Sequence, residues 1–223
     1  MPRGPEAAHK VIISGTGRSG TTFLVRLLTE LGLDTGINKA NWDKKYFAHS
    51  NAGLEHNLAD PHTPYIVKNP ALCDTLPGLL ATGRFVIDHA YIPIRDLESA
   101  AASRVSVGGS EGSVAGGLWG TTDPARQADV LANMFYRLIH TLVVHDIPHT
   151  FILFPRMIQD PAYTRGKLDY LMRGTRDEAF VAAFLKVADV SLVHSFGTGE
   201  PEIVRAPRPA RRPKGLSRFF KAS

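Results

Sequence analysis

Short apolar runs alternate along this chain with longer segments in which apolar residues recur every three or four positions. The short runs predict four strands, at residues 11–14, 65–67, 90–94 and 151–154. The longer segments predict helices at residues 21–31, 97–105 and 125–145, around 165–172, and at 177–187. This alternation favours an α/β fold: a three-layer sandwich in which helices cover both faces of a central parallel sheet. Ligands of such folds bind at the carboxyl ends of the strands.

The first strand runs into a glycine-rich turn and then an amphipathic helix, which is the layout of a phosphate-binding loop. Gly15 and Gly20 have the spacing of the G-x-x-x-x-G-K-[ST] nucleotide loop, but Thr21 stands in the lysine position. Glycines let successive backbone N–H groups approach an anion at the positive end of a helix. Arg18 and the hydroxyls of Thr21 and Thr22 add donors. The pattern predicts a nucleotide-binding fold of the P-loop type, and the alternative is a strand-turn-helix corner without a ligand.

Composition favours one globular domain. The 223 residues are 43% hydrophobic, enough for a full core, and we expect a flexible N-terminus at 1–9 and a domain at 10–200. A single cysteine, Cys73, cannot form an internal disulfide, which makes the cytoplasm the expected compartment. No stretch has the length of a membrane span, and no signal peptide is evident.

A basic, proline-containing tail at 201–223 is predicted to be disordered. Residues 203–223 hold 7 of the 26 basic residues and no acid, which leaves 19 basic against 21 acidic residues elsewhere. The simplest interpretation is a solvated tail, and an acidic partner or a membrane surface are the alternatives. No specific nucleic acid is expected. A second unusual segment, residues 106–122, contains six glycines and predicts a mobile loop, with Trp119 as a lid or a packing anchor.

A second motif follows the third predicted strand. The strand ends in Arg95, Asp96 can cap the next helix, and Ser103 comes eight residues after Arg95. Together with the Arg-Ser-Gly-Thr-Thr loop, this resembles the sulfotransferases that use 3′-phosphoadenosine 5′-phosphosulfate (PAPS). Taken alone, Arg95 and Asp96 are equally compatible with a salt bridge and a helix cap.

The resemblance implies a role for each matching residue. The loop would hold the 5′-phosphate, and its residues are Gly17, Arg18, Ser19, Gly20, Thr21 and Thr22. Arg95 and Ser103 would hold the 3′-phosphate. Arg18 would also stabilise the charge that develops on the leaving oxygen, as an electrostatic donor and not as an acid or base.

Two weaker matches extend the resemblance to about residues 10–196. Residues 66–70 look like the family's strand ending in lysine-x-proline, which suggests that Lys68 approaches the sulfuryl group; a surface lysine is the alternative. Residues 152–161 are similar to a late strand with Asp-Pro after it, but Pro155 and Arg156 replace the usual Tyr-Glu. The family's C-terminal glycine-lysine motif is absent, so the adenine contacts stay unassigned.

The implied reaction is transfer of a sulfuryl group to a hydroxyl or amine, and it needs a base for the acceptor's proton. The candidates are Asp43, His49, Glu55 and His56, and Asp43 is preferred for its distance after the loop. No metal is predicted. The acceptor, a small molecule, carbohydrate or lipid, stays open. The alternatives are a P-loop kinase of a small metabolite using Mg-ATP, which Thr21 disfavours, and a catalytically silent nucleotide-binding module.

Overall fold

The computed structural model describes residues 7–108 and 114–189 of the chain. The predicted tail at 201–223 and most of the predicted N-terminal segment lie outside these residues. So do residues 109–113 of the glycine-rich segment.

Four parallel strands form the central sheet. They are β1 (Ala8–Ile13), β4 (Ile66–Lys68), β5 (Phe85–Ile94) and β6 (His149–Leu153), in the order β4-β1-β5-β6. Val11 of β1 pairs with Ile66 on one side and His89 on the other. The two remaining strands, β2 (Tyr46–Phe47) and β3 (Ala52–Gly53), pair with each other in a small antiparallel ribbon.

Eight α-helices surround the strands in the described part of the chain. They are α1 (Thr21–Glu30), α2 (Trp42–Lys45), α3 (Leu72–Ala81), α4 (Leu97–Val107), α5 (Gln127–Val144), α6 (Arg156–Gln159), α7 (Pro161–Lys167) and α8 (Asp177–Val187). Short 3-10 turns occupy Ala48–Ser50 and Pro124–Arg126. Among the helices of residues 7–108 and 114–189, none is both long and apolar enough to cross a membrane.

The sheet separates two apolar cores because successive side chains of a strand point to opposite faces. Val11 and Ile13 pack with α1 and α8 on one face. Ile12 packs on the other face with α3, α4 and α5. The α/β class and the central parallel sheet predicted from the sequence are therefore confirmed, and the arrangement is compatible with three layers.

Two predicted boundaries were wrong by five residues, and helices α2, α3 and α6 were not predicted. The helix predicted around 165–172 ends at Lys167, and β5 begins at Phe85, five residues before the predicted start of that strand. Helix α3 was not predicted because Pro77 and Gly78 lie inside it and both disfavour helix interiors. Leu72, Cys73 and Leu76 are buried on its inner face, so tertiary packing outweighs this local preference.

Candidate functional site

The turn between β1 and α1 is tightly folded. Gly15, Gly17 and Gly20 have φ angles of 144°, 68° and 86°, and Arg18 has a φ of 56°. A Cβ atom at Gly20 would lie 2.6 Å from Cε of Met157 and 2.9 Å from Cδ2 of Phe154, so a side chain here would have to displace both neighbours. The backbone therefore passes close to its neighbours and delivers the N-terminus of α1 to the carboxyl end of the sheet.

A cleft of about 420 Å³ opens at this end of the sheet. It is bordered by the turn after β1, the end of β4, the end of β5 and the start of the segment at 114–119. Most of the predicted cofactor residues line it: Gly17, Arg18, Gly20, Thr21, Thr22, Arg95 and Ser103. Ser19 is fully buried in the turn beside the cleft. The structure thus brings together two motifs that are about 75 residues apart in the chain.

Arg18 reaches across the cleft floor to two other segments. Its Nε donates a hydrogen bond to Oγ of Ser103 at 3.0 Å, and its Nη1 donates to the carbonyl of Ser50. Burial lowers the pKa of the Arg18 guanidinium, and the nearby charge of Arg95 lowers it further. The guanidinium nevertheless stays charged, because arginine does not lose its proton in proteins. Arg18 is a fixed cation in the cleft.

Arg95 and Ser103 lie where the strand-to-helix connection places them. Asp96 caps α4 by accepting a hydrogen bond from the backbone N–H of Ser99 at 2.8 Å, and this bond lowers the pKa of Asp96. Arg95 is buried, donates from Nη1 to the carbonyl of Arg18 at 3.1 Å, and lies over the ring of Phe154 at 5.0 Å. The cap and the cation-π contact hold the start of α4 against the turn.

Lys68 ends β4 and is buried, with only 3% of its side chain exposed. Its Nζ donates to Oε1 of Glu55 at 2.5 Å and to the carbonyl of Gly53 at 2.6 Å, and it lies 3.5 Å from Oγ1 of Thr22. Burial lowers the pKa of Lys68, while the Glu55 carboxylate opposes that change. The alternative of a surface lysine is therefore wrong, because the ammonium group lies inside the cleft wall.

Arg104 is a site residue that sequence reasoning missed. Its Nη1 donates to the carbonyl of Gly117 and its Nη2 to the carbonyl of Thr16, both at 2.7 Å. The guanidinium lies 4.9 Å from the ring centre of Trp119. Burial and the charge of Arg18 lower the pKa of Arg104 to about 10. Arg104 thus ties the turn after β1 to the glycine-rich segment; its position next to Ser103 was the only available signal in the sequence.

The four candidate bases lie in different places. His49 and Glu55 line the cleft, and 38% of the Glu55 side chain is exposed. Asp43 lies on α2 and lines a neighbouring cavity, not the cleft. His56 packs near Gly36, outside the lining of the cleft. The structure does not bring the preferred candidate, Asp43, to the residues of the cleft.

The cleft carries an excess of positive charge. Its cationic residues are Arg18, Arg26, Lys68, Arg95 and Arg104, against the carboxylates of Glu55 and Asp189. Across residues 7–108 and 114–189, no group of three or more His, Cys, Asp and Glu side chains is placed to hold a metal ion. This arrangement suits an anion with more than one charged group.

Comparison with family models, with curated proteins and with solved structures found no match for this chain.

Proposed function

We propose that this protein is a sulfotransferase that takes a sulfuryl group from PAPS and transfers it to a hydroxyl or amine of an acceptor. The observation that carries the proposal is the convergence of the turn after β1, Lys68, Arg95 and Ser103 in a single cationic cleft. These elements come from three separate stretches of sequence, because Arg95 and Ser103 belong to one motif, and each matches a position of the resemblance described above. A structural ion pair or a helix cap would account for each one alone, but not for their meeting.

The residues present fit a ligand with two phosphate groups. The Ser19 hydroxyl is buried without a hydrogen-bond partner among the described residues, which is costly unless a ligand supplies one. A Cβ atom at Gly17 would lie 2.4 Å from Nη2 of Arg104, so the backbone there is kept free of a side chain. Five cationic side chains in one cleft repel one another, and anionic groups would relieve that repulsion.

The proposal assigns the binding residues as follows. Ser19, Gly20, Thr21 and Thr22 hold the 5′-phosphate group at the positive end of α1. Arg95 and Ser103 hold the 3′-phosphate. The Ser103 hydroxyl accepts a hydrogen bond from Arg18 and keeps its own proton to donate.

When bound, PAPS supplies the sulfuryl group, whose bond to the phosphate oxygen breaks as a bond to the acceptor oxygen or nitrogen forms. Arg18 and Lys68 provide positive charge beside the atoms where negative charge develops. Lys68 carries that positive charge only while it is protonated, and the Glu55 carboxylate favours that state. Of the four candidate bases we propose Glu55, because its partly exposed carboxylate lies in the cleft beside Lys68, whereas Asp43 lies elsewhere.

The test is a thermal-shift titration with 3′-phosphoadenosine 5′-phosphate, compared with AMP and with Mg-ATP. A specific ligand at about 100 times its dissociation constant stabilises the fold by about 2.7 kcal/mol. We expect stabilisation by the bisphosphate alone, a reduced response in Arg95→Ala, and an unchanged response in Arg84→Ala, which alters an exposed arginine before β5.

The outcomes separate the alternatives. Stabilisation by Mg-ATP in place of the bisphosphate would favour a kinase, and no response to any nucleotide would refute the proposal. With the bisphosphate site established, transfer of ³⁵S from PAPS to a mixture of acceptors should be lost in Arg18→Ala, while bisphosphate binding should weaken less than in Arg95→Ala. Binding without any transfer would favour the silent module.

A further inference from the structure

A second cavity of about 560 Å³ adjoins the cleft. It lies between α1, α2 and the end of α8, and we call it the side groove. Its lining residues are Arg26, Thr29, Glu30, Ile37, Asn38, Lys39, Trp42, Asp43, Lys186 and Val187. Arg26 and Val187 also line the cleft, so the two spaces meet at these residues.

Helix α1 connects the reacting end of the cleft to the side groove. Thr22, Arg26 and Glu30 are four residues apart and therefore lie along one face of the helix. Four residues of α-helix span about 6 Å, so Arg26 lies roughly that far along the axis from Thr22. Thr22 in turn lies 3.5 Å from Nζ of Lys68. A molecule whose hydroxyl approaches Lys68 therefore extends into the side groove if the rest of the molecule is at least as long as one aromatic ring.

The floor of the side groove is apolar. Ile37 and Val187 are buried there, and the half-buried indole of Trp42 lies beside them. Flat apolar rings pack well against such a surface, because an indole offers a large area at low entropic cost. The floor therefore favours an acceptor with an apolar ring body over a polyhydroxylated one.

The charges around the floor leave Arg26 available for an anion. Lys186 and Glu30 pair with each other at 2.5 Å. Arg26 has no ion-pair partner in residues 7–108 and 114–189, and its guanidinium lies 5.9 Å from the ring centres of both Trp42 and Tyr46. Two aromatic neighbours limit its movement, and a guanidinium binds carboxylate or sulfate through two hydrogen bonds.

The remaining side-groove charges apart from Arg26 are balanced. Lys39 and Asp43 are both exposed and line the side groove. Their charges offset each other, so Arg26 accounts for the net positive charge once the Lys186–Glu30 pair is set aside. Arg26 lines both the cleft and the side groove and lies where the two spaces meet.

We propose that the side groove binds the acceptor, and that the acceptor is an acidic ring compound whose carboxylate or sulfate pairs with Arg26 while its ring packs on Trp42. The proposal rests on the sulfotransferase function proposed above. It places the acceptor's reactive hydroxyl at Lys68 and Glu55, and its acidic group beside the packed ring, at Arg26.

The test measures binding to full-length protein saturated with 3′-phosphoadenosine 5′-phosphate, so that the cationic cleft is filled first. The protein carries 5-fluorotryptophan at its two tryptophans, and the ¹⁹F resonance of Trp42 is assigned with Trp42→Phe. Two matched pairs of probes differ in one acidic group: 2-naphthol against 6-hydroxy-2-naphthoate, and methyl glucoside against methyl glucuronide.

We expect 6-hydroxy-2-naphthoate to shift the Trp42 resonance saturably and to bind about tenfold more tightly than 2-naphthol. Arg26→Gln should remove that tenfold preference, and Arg26→Lys should restore part of it. Lys44→Gln is the matched control, because it removes an exposed charge from α2 without altering the side-groove lining.

Three results would overturn the inference: no preference for the acidic member of either pair, a preference that survives Arg26→Gln, or tighter binding of the glucuronide than of the naphthoate. None of these results contradicts the proposed sulfotransferase function as long as 3′-phosphoadenosine 5′-phosphate still binds. Failure of the bisphosphate to bind would instead refute the proposed function and remove the basis of this inference with it.

Discussion

The ion pair between Lys68 and Glu55 is expected to contribute to the stability of the fold, and Glu55→Gln tests that contribution. Lys68 is 3% exposed and its ammonium relies on Glu55 as its only carboxylate partner in the described residues. Glu55→Gln keeps the size of the side chain and removes its charge. The variant should therefore leave a buried ammonium group with only its neutral hydrogen-bond acceptors.

The size of the effect follows from the burial of the two partners. Breaking a fully buried pair costs about 3–5 kcal/mol, and breaking an exposed one costs about 0–1 kcal/mol. Because 38% of the Glu55 side chain is exposed, solvent screens part of the interaction. We expect Glu55→Gln to lower the free energy of unfolding by about 1–2 kcal/mol at pH 7. Adding Lys68→Met should recover part of that loss, since no buried charge remains.

The loss should also depend on pH. Burial holds the folded-state pKa of Lys68 below its ordinary value of 10.5, and Glu55→Gln lowers it further. Below both folded-state pKa values Lys68 is charged in both proteins, so the full loss is present. As pH rises through the folded-state pKa of the wild type, Lys68 becomes neutral in both proteins and the loss disappears.

Urea unfolding followed by circular dichroism, at pH 7 and near pH 10, measures both effects. The double-mutant cycle with Lys68→Met isolates the coupling between the two side chains. A change in the free energy of unfolding below about 0.5 kcal/mol, or a loss of equal size at both pH values, would refute the reasoning.

Two further predictions concern the turn after β1. Gly17→Ala should lower the free energy of unfolding by about 2 kcal/mol, and Gly32→Ala by only about 1 kcal/mol. Both glycines have positive φ, but only at Gly17 would the added Cβ meet another side chain, that of Arg104. Equal losses of stability for the two variants in thermal unfolding would contradict this. Arg104→Gln should weaken binding of 3′-phosphoadenosine 5′-phosphate at least tenfold in calorimetry, because it removes both hydrogen bonds that join the turn to the segment at 114–119. Arg84→Gln is the control, and equal affinities in the two variants would exclude a positioning role for Arg104.

Sequence patterns predicted the central strands well, for a simple reason. Residues 11–13 are fully buried on both faces of the sheet, and a strand of that kind is a continuous apolar run. Helix α3 shows the opposite case. Pro77 and Gly78 disfavour a helix, so the local sequence predicts none there. The packing of Leu72 and Leu76 in the core, which stabilises α3, cannot be inferred from neighbouring residues.

Some features of the candidate site could likewise be predicted from the sequence, and others could not. The sequence determined what depends on near neighbours: the glycine turn at 15–20 leading into α1, and the cap at Asp96 that sets Ser103 two helical turns along α4. Tertiary structure alone decided which distant groups meet. It paired Lys68 with Glu55, joined Arg104 to Thr16 and placed Asp43 in the side groove instead of the cleft. Backbone propensities act over a few residues, whereas these contacts depend on how the elements pack around the sheet, which no local pattern specifies.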